Sequence, residues 1–505
     1  MTGKILPIND ELYCASCGGK GMKLTATKAE SGRRRYICPS CGFRTTKALY
    51  TQPQILPETR VADIKKHKRF LVTSAVNDTP LVRGAHETFK RISDELDACY
   101  LIIPGVYKNP DLKHMGLDGM RWPEEIMPHL CNANVRLNKN LFIRGETRIH
   151  YTGINPLAGL NNAAGLESEI YGHPQVAMRM VPTAKKLLPK MLHTTGTISA
   201  ANYGGSRHAQ KAAFHHSLSA LFVEIDGDSY WTTEVHYDGT GAYLFDRYYT
   251  PTESEKAVGA AGLVYGDTHV QALKPGINKL LQAMAKIFNP ELQIFHDLHD
   301  HYAGSHHNDK NKLFQLTLKQ PDIRKELMLS VKHLDEQRGK CVIVSSNHSE
   351  HLSQWFNRFR PERDPINIDL YYELGEMARL SGSGDLFRLF LERYCKKDLI
   401  FVGGNDLFEV AGVDCSQHGH RGPNGARGSA KAFARTGHKT VIGHSHTPAI
   451  EKGSYQVGTA SMDMSYAVGY SSWHNTHCVI YPNGKRALHS IVNGKLSPIM
   501  RTLAK

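Results

Sequence analysis

No stretch of this 505-residue chain reaches the ~20 uncharged apolar side chains that a membrane-spanning helix needs. Residues Met1 to Asp10 lack the apolar core of a secretory leader. Membrane insertion and export are therefore not expected. The expected setting is the cytoplasm, or the host's cytoplasm if the chain is viral. No internal repeat is found, so a repeat architecture is not expected. Negative charge is short: 48 Asp and Glu stand against 62 Lys and Arg, a net +14. With 41% hydrophobic and 22% charged residues, wholesale disorder is excluded. The length suggests about two to four domains.

The positive excess is uneven. Residues 1–69 hold 14 Lys and Arg but 5 Asp and Glu, so much of the surplus sits at one end. A basic end on a near-balanced body points to an anionic partner, nucleic acid first, with a solubilising tail as the alternative.

The same end carries two C-x-x-C knuckles, Cys14/Cys17 and Cys38/Cys41, with 20 residues between them. Each knuckle aims two thiolates at one point, and two knuckles complete the tetrahedral S4 set that suits Zn²⁺. A pair of disulfides is the alternative, disfavoured in a reducing compartment. Arg33, Arg34, Arg35 and Tyr36 precede the second knuckle, and Gly42, Phe43 and Arg44 follow it. This string resembles the zinc ribbons of phage and bacterial DNA-binding proteins. Arg33, Arg34, Arg35 and Arg44 are the candidate phosphate contacts, with Tyr36 and Phe43 as stacking surfaces. Zinc ribbons also bind proteins, so a protein partner through this module or the region after it is a second expectation. The remaining cysteines are scattered and read as buried thiols.

Residues 50–60 carry two prolines and read as a linker. Beyond it, an apolar run from Arg69, a helical stretch over Gly84–Leu96 and a second run from Ala98 suggest an α/β unit. Asp226-Gly227 between two β-rich runs signals a hairpin. The hairpin's Asp226, Asp228, Glu234, His236 and Asp238 read as a solvated face rather than a metal site. His208, His215 and His216 read as surface residues. The role of this middle region, residues 60–255, is not readable.

From residue 258 onward, strand-like runs lead repeatedly into loops of metal-ligand residues. They deliver Asp267-Thr-His269, then His296-Asp297-Leu-His299-Asp300, then Asn347-His348-Ser-Glu350, then His418-Gly-His420, then His444-Ser-His446. In open α/β sheets, ligands gather at the carboxyl ends of strands. A ring of Asp, Asn and His there suits divalent cations.

This order, D-x-H, D-x-x-D, N-H, H-G-H and G-H-x-H, resembles the calcineurin-like metallophosphoesterase superfamily over about residues 260–450, with a β-rich tail to 505. The resemblance implies an α/β fold: a two-layered β-sandwich flanked by helices over residues 258–505, preceded by an α/β middle domain over 60–255 and a zinc ribbon over 1–50. It implies that Asp267, His269 and His446 hold a first metal, that Asp297 bridges, and that Asn347, His418 and His444 hold a second. His418 is preferred over His420 because it lies nearer its strand. His348 would act on the phosphate as acid or charge stabiliser, and Asp300 would orient it. The ions would be manganese, with magnesium, iron or zinc as alternatives, besides one structural zinc in the ribbon.

Three positions depart from the family pattern: His296 and Ser346 replace glycines, and Ser349 replaces an acid, with Glu350 one residue on. The implied chemistry is attack of an activated hydroxide on a phosphate. His299, His301, His306 and His307 crowd the second motif, either touching phosphate or merely exposed. Residues 350–400, with Trp355, Phe356, Arg358, Arg360 and Arg363, would shape a substrate groove or form a plain helical cover.

Fold and metals do not choose the substrate. The basic ribbon makes nucleic acid the economical one, so a DNA nuclease like the DNA-repair exonucleases and phage DNA-degrading nucleases is expected. A phosphatase on small phosphoesters, nucleotides or phosphoproteins, and a non-enzymatic DNA-binding regulator on the same scaffold, are the alternatives.

Overall fold

The computed structural model describes residues 12–14, 16–17, 19–27, 34–45, 57–107, 121–163, 165–184, 187–305, 322–462, 464 and 469–505. Among these the chain is mixed α/β with several sheets. Most of the linker 50–60, together with His306 and His307, lies outside the described residues.

The cysteine-bearing end builds a three-stranded antiparallel sheet of Lys23–Thr27, Arg34–Ile37 and Arg44–Thr45. Its own core is small: Leu12, Cys14, Met22 and Cys38, with Tyr36 packed against them. So little apolar area cannot offset the entropy of ordering the chain, which leaves the stability of this module to its thiols.

The α/β unit forms as the patterning predicts. Arg69–Val76 pairs in parallel with Cys99–Gly105, and the helix Arg83–Glu95 connects them. The hairpin forms too, Ser219–Asp226 against Ser229–His236, and joins the first strand in a four-stranded sheet. Its acids do not all face water, however. Glu234 is buried at 1% exposure, and burial pushes the His236 imidazole down to about 3. The strand Ser229–His236 is covered because it packs against the strand Arg486–Ser490. His215 and His216 are half-buried rather than exposed, while His208 is exposed.

Two larger sheets carry the rest. The six-stranded sheet runs in the order Leu399–Val402, Lys340–Val344, Leu292–Phe295, Gly262–Val264, Thr476–Ile480, Arg486–Ser490. Its first four strands are parallel and the last two antiparallel. The ten-stranded sheet takes strands from both sides of residue 258. Ala177–Val181 of the middle region pairs with Ala449–Glu451 of the C-terminal region. The regions 60–255 and 258–505 therefore share one sheet. One buried cluster includes Val264, Ile294, Val342 and Ile480 of the six-stranded sheet with Val413, Val441, Ile450 and Met178 of the ten-stranded one. The segment after His348 is helical at Ser349–Arg358, Ile368–Ser381 and Leu386–Tyr394. Tyr371 stacks there on Phe356 and Phe359.

One carboxylate touches three sheets. Glu234 Oε1 accepts from His193 Nε2 at 2.8 Å, and Oε2 accepts from the Leu488 amide at 2.7 Å. Removing a buried acceptor leaves each of its donors desolvated and unmade, at about 1–3 kcal/mol each. Glu234→Ala should therefore destabilise the fold by about 2 kcal/mol or more, read as a lower midpoint in denaturant unfolding.

Candidate metal centre

The four parallel strands of the six-stranded sheet end on the same edge, and three of them deliver the acidic and amide candidates. Gly262–Val264 leads to Asp267, Leu292–Phe295 to Asp297, and Lys340–Val344 to Asn347 and His348. Leu399–Val402 ends instead in Gly403, whose amide is capped by Asp406 at 2.7 Å. Three of the histidines come from the other sheet: His418 follows Val413–Asp414, and His444 and His446 follow Thr440–Ile442. The site is a meeting of two sheets. Gly443 is required at the junction, because a Cβ there would run into Asp267 Oδ1.

The backbone is tightly bent at this edge. His269, Asp297, His444 and His446 have φ of 43°, 38°, 76° and 58°. These are left-handed values that non-glycine residues rarely adopt, and they concentrate at sites where the surroundings hold a side chain to a task.

Ligand-type atoms converge in three overlapping groups that could hold metal ions, one of them His269, Asp300 and His348, and the other two joined by a carboxylate. Asp267, His269, Asp297 and His446 form one, and Asp297, His418 and His444 the other, with Asp297 common to both. His446 Nε2 lies 3.2 Å from Asp267 Oδ2 and 3.2 Å from His269 Nε2. His418 Nε2 lies 3.0 Å from Asp297 Oδ2. His420 is half-buried with its ring 5.6 Å from that of His418, and it belongs to none of these groups. The buried Asn347 Oδ1 has no hydrogen-bond partner. Two facing imidazole nitrogens, two buried carboxylates and an orphaned amide oxygen form a donor set suited to hard or borderline divalent cations.

Burial pushes the Asp267 carboxyl up, but His418 and His446 outweigh it and hold it below the usual range. Asp297 is held well below it by His418, His348 and His269 against the same burial. Conversely, burial lowers the His418 and His269 imidazoles, yet the neighbouring carboxylates leave both raised. His444 is lowered by burial and by His418.

Asp300 and His348 form an adjoining group. Asp300 Oδ1 stands 3.1 Å from His269 Nδ1 and 3.3 Å from His348 Nδ1, so it serves two imidazoles. The Asp300 backbone carbonyl accepts from His348 Nδ1 at 2.9 Å. That turns Nε2 of His348 toward Asp297 Oδ2, 3.9 Å away. His299 and His301, read as phosphate contacts or exposed, are buried. His299 is bonded to Ser330 Oγ at 2.8 Å, and burial pushes it down to about 3. His301 meets the rings of His299 and Phe387, with both of its nitrogens unpartnered.

Two neighbours were not assigned to the site from sequence. The His296 ring is fully buried 5.6 Å from His418, with both nitrogens unpartnered. The Trp473 ring meets His446 edge-on at 4.3 Å. The departure from the resembled pattern was a signal for the first. No motif marked the second.

At the other end of the chain, Cys14 Sγ lies 3.7 Å from Cys41 Sγ, and Cys17 Sγ lies 3.6 Å from Cys38 Sγ. Zinc–sulfur bonds of ~2.3 Å in a tetrahedron place sulfurs about 3.8 Å apart, whereas a disulfide needs ~2.05 Å. The four-cysteine group thus fits a metal ion. Arg35, Arg44 and Phe43 are exposed beside it. Arg33 lies outside the described residues, and of Arg34 only the backbone is described.

Among known proteins, the chain is 31% identical over 464 aligned residues to protein A1 of Escherichia phage T5, covering 86% of this chain and 83% of that one. The chain belongs to the phage T5 protein A1 family. No family model matches it, and no solved structure does. No described helix of this A1-family chain is long and apolar enough to cross a membrane.

In the metal-free chain the raised histidines and lowered carboxylates stabilise one another. The carboxylate contribution is present above about pH 3.8 and is lost as pH falls through the lowered values. The imidazole contribution is full below about pH 6.5 and is lost as pH rises through the raised values. A cation must displace those imidazole protons. The rise in unfolding temperature on adding Mn²⁺ should therefore be small below about pH 6.5, where those imidazoles hold their protons, and grow as pH rises above it. It should vanish in Asp297→Ala, as read by thermal denaturation.

Proposed function

We propose that this chain is a metal-dependent phosphodiesterase that cuts nucleic acid, DNA first, on a calcineurin-like metallophosphoesterase fold. The observation that carries this reading is the sharing of Asp297 between two ligand groups, all buried but for the half-buried His444. A carboxylate common to two groups is what a pair of cations needs between them. Asp267, His269 and His446 would hold the first ion. Asn347, His418 and His444 would hold the second. When bound, two such ions neutralise phosphate charge and lower the pKa of water. Manganese is the expected metal, with magnesium, iron or zinc as alternatives.

The chain's own residues supply the rest. His348 keeps its Nδ1 proton on the Asp300 carbonyl, so its Nε2 is the atom that gives or holds a proton beside the substrate. Asp300, pinned between His269 and His348, keeps both rings at fixed angles. The cysteine module would bind one structural zinc and hold the polymer through Arg35 and Arg44, with Phe43 as a stacking surface. A phage relative is consistent with work in the host's cytoplasm.

The test is to incubate the purified chain with linear and circular DNA and Mn²⁺, beside Asp297→Ala. Loss of DNA with the unaltered chain alone is expected, and cutting of circles separates endonuclease from exonuclease action. Intact DNA together with hydrolysis of a small chromogenic phosphoester would replace this reading with the phosphatase. DNA binding without any cleavage would replace it with the regulator. His348→Ala should lower kcat by about 10²-fold or more, while the Mn²⁺-induced thermal shift is kept. A lost shift would make His348 a ligand instead.

A further inference from the structure

Away from the metal centre, a cavity of about 270 Å³ lies where the middle region meets the C-terminal region. Lys439, Lys452, Lys485 and Arg486 line it, together with Gln175 and Phe214. No Asp or Glu is among its lining residues. None of the three lysine side chains has a hydrogen bond or ion pair among the described residues, though all three line one cavity. The Lys485 ammonium is held below its usual value by burial and by the adjoining Lys439 and Arg486. Asp238, the carboxylate that acts on Lys485, does not line the cavity and is already bonded by Asn483 and Thr240. Gathering cations without counter-charge is unfavourable, and an anion between them reverses the sign of that term.

Two further observations define the anion. Gln175 is 5% exposed, and its Nε2 has no hydrogen-bond partner. A buried amide donor left unmade costs free energy that an acceptor oxygen in the cavity would recover. Phe214, in contrast, is 75% exposed at the end of the helix Arg207–Phe214. An exposed aromatic ring beside a cationic pocket is a stacking platform for a base above a phosphate site. The volume is small for a ligand pocket and suits one small molecule rather than a length of polymer.

The geometry points to a second, non-catalytic site on this chain that binds a mononucleotide, its phosphate among Lys439, Lys452, Lys485 and Arg486 and its base on Phe214. The site is separate from the metal centre. Lys439 precedes the strand Thr440–Ile442, and His444 follows it. The three strand residues between them span about 10 Å at ~3.3 Å each, and the cavity shares no residue with the ligand groups. The inference does not rest on the phosphodiesterase reading, since it concerns binding alone.

The test is calorimetric titration of the full chain with deoxyadenosine 5′-monophosphate at low salt and without added divalent metal. Inorganic phosphate and a single-stranded oligodeoxynucleotide serve as parallel probes. Binding of the mononucleotide is expected, weakened at least tenfold in the double variant Lys439→Gln/Lys452→Gln. Phe214→Ala should weaken the mononucleotide roughly fivefold or more while leaving inorganic phosphate unchanged. Asp297→Ala should leave all three titrations unchanged. The proposal is overturned if the mononucleotide does not bind, or if its binding is lost in Asp297→Ala and kept in the lysine double variant. It is also overturned if the oligonucleotide alone binds through the lysines, which would make this a polymer contact.

Discussion

The ligand cluster exists only if two sheets stay fixed relative to one another. Asp267, Asp297 and Asn347 descend from the six-stranded sheet, and His418, His444 and His446 from the ten-stranded one. A slip of one ångström between them would separate His446 from Asp267 or His418 from Asp297. Directionless apolar burial, though extensive here, resists such a slip weakly. Directional bonds resist it better, and Glu234 makes them to His193 of one sheet and Leu488 of the other from a strand belonging to neither. Arg486 adds a second tie, donating to the carbonyls of Thr440 and Gly453 at 3.0 and 2.8 Å.

The electrostatics depend on that placement. Two carboxylates in full burial are intolerable unless cations face them. Here His418 approaches both, and the carboxylates in turn keep His269 and His418 basic. The buried acids and imidazoles thus favour one another's charged forms.

Much of the candidate site was legible in the sequence because its residues sit at strand ends, where short apolar runs announce a position and the next polar residue marks the edge. The five loops were found that way. What periodicity could not convey was which sheet each strand enters. Val413–Asp414 and Thr440–Ile442 look like Gly262–Val264 in sequence, yet they pair elsewhere. Register between distant strands is set by pairing that no local window contains. The same gap explains the hairpin. Its turn was readable at Asp226-Gly227, but the burial of Glu234 and His236 comes from a strand about 250 residues further along. The burial of His299 and His301 depends likewise on Ser330 and the surrounding fold rather than on neighbours in the chain.

The pairing of Ala177–Val181 with Ala449–Glu451 has a bearing on how this chain can have been assembled. A module that joins another by a linker can be lost, swapped or duplicated in a single recombination. Strands that interleave in one ladder cannot, because excision at residue 258 would strip Ala449–Glu451 of its neighbour and bare an apolar edge. The middle and C-terminal regions are therefore inherited as one unit. Only the small cysteine-bearing end, with a core of its own, is free to be exchanged between genomes without disrupting the interleaved sheets.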